Sequence, residues 1–242
     1  EIIDLKYLYV EVDTSVYFNS NAISDSAELV TSVTKALSSY SQSSDINAFG
    51  GRFKYSKIVS LIDDSARGVT SNITKVKMRR DITPEINTFA TYELCYGNAF
   101  FKQRNGYGIR STGFNVSNIS GTVYMGDIPT AGTDVGKIIF FKLENNLPLV
   151  VKNDAGTIDY VHGEINLDVV NITGTSLANG QIQVEAIPQS NDVIALKDLY
   201  LQLDVTNSSV NALPDVVSSG ENTSATSYVT TSSYASESIY TR

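Results

Sequence analysis

GGRFKYSKIVSLIDDSARGVTSNITKVKMRR, residues 50–80, is the stretch on which the reading of the fold turns. Tyr55, Ile58, Val59 and Ile62 recur at the three- and four-residue spacing of a helical face, which predicts a short helix over Tyr55–Asp63. Gly50 and Gly51 can take the positive φ that closes an earlier helix, and Asp63, Asp64, Ser65 and Gly68 supply a polar stop. From Thr74 to Arg80 the pattern changes period. Val76 and Met78 point one way and Lys75, Lys77 and Arg79 the other, as a half-buried strand with one cationic face requires.

Working outward, Lys6 to Asp13 alternates in the same manner, with Leu8, Val10 and Val12 opposite Tyr7, Tyr9, Glu11 and Asp13. Between the two strands, Val30, Val33, Leu37 and Tyr40 form a helical stripe over Asp25 to Tyr40. Ser24 or Ser26 is placed to cap its first turn and Glu28 adds favourable charge there. Two helices on one face of a small sheet bury both stripes, which is an α+β solution. The expected fold class is therefore α+β, in three parts. Residues 1–90 form a small sheet with two packed helices, 91–206 a mostly antiparallel β-domain, and 207–242 a Ser/Thr-rich tail, extended or disordered.

The β-domain is read from short apolar runs: Tyr92–Tyr96, Gly113–Val116, Gly121–Met125, Lys137–Leu143, Leu147–Lys152, Thr157–Val161, Glu164–Ile172, Gln181–Ile187 and Leu199–Val205. Asn105-Gly106, Asp154-Ala155-Gly156 and Asn179-Gly180 are read as the turns between them. Ile138-Ile139-Phe140-Phe141 is unbroken, which implies a strand covered on both faces, from within the domain or by a neighbouring subunit. Ser218 to Arg242 holds eight Ser and five Thr, with Tyr228, Tyr234 and Tyr240 spaced as anchors along a partner.

The string Gly51, Phe53, Tyr55, Ser56, Lys57, Ile58, Val59, Ile62 and Asp63, followed by Val69, Ser71, Asn72, Ile73, Thr74, Val76, Lys77 and Met78, resembles the baseplate-J-like proteins of contractile phage tails. Among these, the wedge proteins of T-even-type phages are similar over roughly residues 1 to 90. The resemblance implies a structural, non-enzymatic subunit that joins other wedge proteins and copies of itself into a dimer or ring around the tail hub. It implies a virion location, assembly in the host cytoplasm, and a chain corresponding to the C-terminal portion of such a protein.

Composition limits other functions. A net charge of −8 opposes a general nucleic-acid-binding field, and 42% apolar residues over 242 suffice for a substantial core. No apolar run approaches a membrane span and no leader precedes the first strand. One Cys and one His supply too few soft ligands for a zinc site, so neither metal nor cofactor is expected. His162 beside Glu164 has the makings of a base and its orienter but reads as a turn residue, and Cys95 reads as an inert strand thiol. Asp63-Asp64 is the visible carboxylate pair. Adjacent helix residues diverge, so it does not form a glycosidase site. Six Asn-x-Ser/Thr sequons follow from abundant Asn, Ser and Thr.

No catalytic, metal or cofactor residue is therefore assigned. The candidate interface residues are Lys75, Lys77, Arg79 and Arg80 on the strand and Tyr228, Tyr234 and Tyr240 in the tail. The alternatives are a receptor- or carbohydrate-binding β-module of a fibre and, more remotely, a carboxylate-based glycosidase.

Overall fold

The computed structural model describes residues 6–216. In chain order the elements are β1 (Lys6–Phe18), α1 (Ser26–Ser41), β2 (Ala48–Phe49), β3 (Arg52–Phe53), α2 (Tyr55–Asp63), β4 (Val69–Ile82) and β5 (Phe89–Cys95). There follow β6 (Ile109–Ser111), β7 (Phe114–Val116), β8 (Ile119–Pro129), β9 (Val135–Glu144), β10 (Leu147–Asp159) and β11 (Glu164–Thr175). The last are β12 (Ile182–Ala186), β13 (Val193–Ile194), β14 (Leu199–Leu203) and β15 (Ser209–Pro214).

These strands form two main sheets. The first runs β2-β14-β1-β4-β12-β6, with β15 continuing alongside β1 where β14 leaves off. β14 and β15 lie parallel to β1, and β4 lies antiparallel to it. The break between β14 and β15 is bridged by Asp204 N–H donating to the Val10 carbonyl and by Val12 N–H donating to Ser208 Oγ. In the second sheet β10 pairs with both β9 and β11, so β10-β9-β8-β7-β11 closes into a five-stranded barrel with β5 added at β11. Strand accounts for 52% and helix for 12% of the described residues, so the α+β expectation is corrected to a predominantly β fold. The first sheet is not small because β6, β12, β14 and β15 return to it from beyond residue 90, which no local periodicity announces.

α2 lies where the sequence puts it, with Ile58 and Ile62 fully buried. The stripe of α1 is Leu29, Val33, Leu37 and Tyr40, with Val30 half-buried at its margin. Leu29 takes the place expected of Val30 because it lies four residues before Val33 on the face turned to the sheet. The cap is neither Ser24 nor Ser26 but Asp25, whose Oδ1 accepts from Ala27 N–H at 2.8 Å. Asp25→Ala is expected to lower stability by about 1 kcal/mol in urea unfolding, where Ser24→Ala and Ser26→Ala change little. The Gly50-Gly51 pair does not close α1, which ends at Ser41 against Gln42. Gly50, at φ +62°, instead turns the chain between β2 and β3, and a Cβ on Gly51 would sit 2.9 Å from the Ile46 carbonyl oxygen.

Both strand faces read from alternation are as expected. Leu8, Val10, Val12, Val76 and Met78 enter the core below the helices, while Tyr7, Tyr9, Glu11, Asp13, Lys75, Lys77 and Arg79 face away. Ile138 to Phe141 are all buried: Ile138 and Phe140 join the main core, and Phe141 packs outside it against Tyr107 and Tyr124. The cover comes from within the chain. Asp154-Ala155-Gly156 is not a turn but a register shift inside β10, and Ala155 is buried there.

Candidate functional site

The face of the first sheet turned away from α1 and α2 collects the polar halves of β1 and β4. Their register sets Asp13 opposite Lys75, Glu11 opposite Lys77 and Tyr9 opposite Arg79, and β12 extends the last row by placing Glu185 beside Arg79. The ion pairs cross these rows diagonally, Lys77 to Asp13 and Arg79 to Glu11, so neighbouring rows are charge-matched to one another.

Arg79 is at the centre and is buried. Its guanidinium bonds Glu11, reaches Asp81 Oδ1 and Asp204 Oδ2 at 2.9 Å each, and stacks 4.4 Å from the centre of the Tyr9 ring. Burial pushes the Glu11 and Asp81 carboxyls up despite the arginine. Burial also acts on Asp204, yet its bonds to Asn207 and the Arg79 charge hold it below its ordinary value. Burial works against the Arg79 charge as well, but Asp81, Glu11 and Asp204 keep the guanidinium raised and protonated.

On one side of this cluster the rings of Tyr9, Tyr7, Tyr200 and Phe49 run in a continuous ladder with centroids 5.1–5.7 Å apart. On the other side lies a shallow cleft of about 530 Å³, lined chiefly by Glu11, Asp13, Lys75, Lys77, Gln183 and Glu185. Lys77 pairs with Asp13, and Lys75 is exposed at the rim. The chemistry this arrangement offers is a row of oriented charges flanked by aromatic surface, which suits registration against another protein.

The expected interface residues thus part company. Lys75 and Lys77 share the polar face; Arg79 shares it but is committed inward. Arg80 points through to the opposite side, as strand alternation dictates, and donates to the Cys95 carbonyl, tying the first sheet to β5. Tyr228, Tyr234 and Tyr240 lie outside the described residues. His162 is exposed in the turn between β10 and β11, where Nδ1 lies 2.8 Å from Asp159 rather than on Glu164. Cys95 is half-buried, its thiol pushed up by burial and 3.9 Å from Glu164. Asp63 accepts from Asn72 and Asp64 from Ser60, so both serve the end of α2. Among the described residues no cluster of His, Cys, Asp and Glu could hold a metal ion, and no helix is long and apolar enough to cross a membrane.

Asp81, Asp204 and Glu185 escaped the sequence reading, and so did a further acid buried elsewhere. Asp127 in β8 is fully buried, accepts from Ile109 N–H at 2.7 Å and from the Tyr160 hydroxyl at 2.6 Å, and so joins the barrel to β6 of the first sheet. Its one sequence signal is an acid inside an apolar strand, which requires partners it does not name. Burial pushes its carboxyl above the ordinary range. The folded state then holds the proton more tightly than the unfolded chain, so this group's contribution to stability falls as pH rises from about 4 through the raised folded value. Asp127→Asn keeps an acceptor oxygen for Ile109 N–H, turns an amide N–H toward the Tyr160 hydroxyl, which can accept it, and is expected to flatten that part of the pH–stability profile. Urea midpoints measured across pH 4–8 check this, and an unchanged slope would remove the assignment.

Residues 6–81 match the family model described as baseplate structural protein gp6, C-terminal domain III. No curated protein matches the chain. The matched span contains β1, α1, α2 and nearly all of β4, and with them the whole Lys75–Arg79 row and its Glu11 and Asp13 partners.

Proposed function

We propose that this chain, whose residues 6–81 match a baseplate structural protein domain, works as a self-associating subunit of the baseplate wedge, forming a dimer or ring element around the central hub. In this reading it acts without catalysis, is assembled in the host cytoplasm, and meets neighbouring baseplate chains through the polar face of its first sheet. The observation that carries the docking surface is the exposed Lys75 beside the Lys77–Asp13 pair, on the rim of a charge-lined cleft. Fixed charges of both signs set the register of an incoming face and repel a shifted one. Tyr228, Tyr234 and Tyr240 are proposed to add to the same interface.

Lys75→Glu with Lys77→Glu is expected to lower incorporation into baseplate assemblies at least tenfold while leaving the melting temperature within a few degrees. Normal incorporation of the folded variant would eliminate the docking role. Sedimentation of the isolated chain checks self-association, and a strictly monomeric chain at high concentration counts against it.

The aromatic ladder favours a second reading, a carbohydrate- or receptor-binding module, because stacked tyrosines present sugar-sized platforms. Saturable glycan binding that disappears in Tyr200→Ala would move the assignment there.

A further inference from the structure

Beyond Phe141, β9 no longer pairs with β8, and β10 does not meet β11 until Gly156. Residues 142–150 are therefore a two-stranded arm whose strands pair only with each other among the described residues. Asn145 and Asn146, at φ +52° and +62°, make the tight turn at its tip. Leu143, Leu147 and Leu149 are 48%, 60% and 46% exposed, and they do not share a face. Leu147 and Leu149 lie on one side with Glu144 and Lys142 directly across from them, and Leu143 lies on the other side opposite Pro148. Leucines on both faces of an arm with no core of its own mark a surface that another element covers from two sides. The outer edge of β10 is closed to a further strand. Glu144 and Leu147 close the turn, so Pro148 stands where the ladder to β9 needs no donor and its ring occupies the outside. Contact through the side chains is what remains.

A groove with two walls lies between the first turns of α1 and β15, lined by Ala27, Val30, Val210, Ala212 and Leu213 and by no charged residue. It continues along α1 past Thr34 to Lys35. The arm contributes nothing to this lining in its own chain. Glu28, in the first turn of α1, and Lys35 are both exposed on the helix, about 10 Å apart along its axis. On the arm, Lys142 and Glu144 are separated by about 7 Å of strand, a difference that long side chains span. None of these four charges forms an ion pair among the described residues.

We propose that the arm of one copy, residues 142–150, seats in the α1–β15 groove of a second copy. Leu147 and Leu149 enter against Val30 and Ala212, Leu143 meets Leu213, and Glu144 lies toward Lys35 with Lys142 toward Glu28. A second copy is the occupant because both halves of the contact are on this one chain: leucines for an uncharged trough, and a separated cation and anion for their opposites. The inference rests on the self-association proposed above and gives it a surface, distinct from the Lys75 and Lys77 face. Reciprocated, the contact makes a dimer; repeated head to tail, it makes a ring.

Sedimentation of the full chain over a range of concentrations tests it. Leu147→Asp with Leu149→Asp is expected to weaken association at least tenfold while the melting temperature stays within a few degrees, since both side chains are exposed. Glu144→Lys and Lys35→Glu are each expected to weaken association, and mixing the two variants in equal amounts is expected to restore it, because each then meets the opposite charge on the other. Misfolding does not produce rescue by mixing. A folded leucine variant that associates like the wild type would overturn the proposal and leave self-association standing; if that variant also failed to enter baseplates, the arm would belong against a different baseplate chain. A wild-type chain that stays monomeric would overturn both readings.

Discussion

Arg79→Met should unfold the protein far more readily than any change at Lys75 or Lys77, with a loss of about 3–5 kcal/mol at neutral pH. Arg79 is 3% exposed, and it is the cation that Glu11, Asp81 and Asp204 share. Removing it does not erase a salt bridge so much as leave carboxylates facing one another out of water, and that uncompensated desolvation sets the size of the loss. Methionine keeps much of the stem that packs on Tyr9, which separates the charge effect from lost packing.

The same variant has a pH signature. Glu11 and Asp81 are already raised by burial with the guanidinium in place, and without it they must rise further. Carboxyls whose folded values exceed their unfolded ones lose stability as pH rises, so the deficit of Arg79→Met should shrink between pH 7 and pH 5. Combining it with Glu11→Met should recover part of the loss at pH 7, because one orphaned charge is then absent. Urea denaturation of the single and double variants at the two pH values measures all of this. A single variant within 1 kcal/mol of wild type would mean that the carboxylates find water or each other's protons, and the buried-cluster assignment would be abandoned.

Arg79 also marks the boundary of what the sequence discloses. Alternation put it on the correct face of β4, because side-chain direction in a strand is a local property. Its burial depends on Asp204, which arrives from the far end of the chain, and on Glu185 of β12; no spacing rule connects these residues. Arg80 fails for the opposite reason. Grouped by composition with its neighbours, it belongs by parity to the other side, and alternation applied strictly would have separated it. The helices follow the same division. The 3.6-residue period located α2 to its end residues, but the choice of Leu29 over Val30, and of Asp25 over its serine neighbours, depended on which way the sheet lay. The closed barrel was the least legible part. Closure needs β7 to pair with β11, far off in sequence, and needs β10 to shift register against β9 at a glycine that reads as part of a turn.

Gly156 is that residue, and Gly156→Ala should cost about 3 kcal/mol or more. It stands at the point where β10 pairs on one side with Ile138 of β9 and on the other with Leu167 of β11, so it belongs to the seam that closes the barrel. A Cβ there would press into the Asn166 carbonyl oxygen and come within 2.9 Å of the Leu167 Cα, at a φ of +157°. Both obstacles are backbone, so no rotamer change relieves them; one strand must move away from the other. Separation of β10 from β11 turns a closed barrel into a sheet with two open edges and exposes the side chains that β10 and β11 turn inward. Ile158, Ile165 and Leu167 are among them. Gly121→Ala supplies the comparison. Its φ is +80°, but a Cβ there meets nothing within 4 Å, so it carries only the intrinsic strain of a left-handed alanine, about 1 kcal/mol. Thermal unfolding of the two variants should therefore rank them widely apart, with Gly156→Ala also losing exchange protection first along Thr157–Asp159 and Glu164–Leu167. If the two variants melted together, steric contact at the seam would not be what demands glycine at position 156, and closure between β10 and β11 would have to be looser than the register implies.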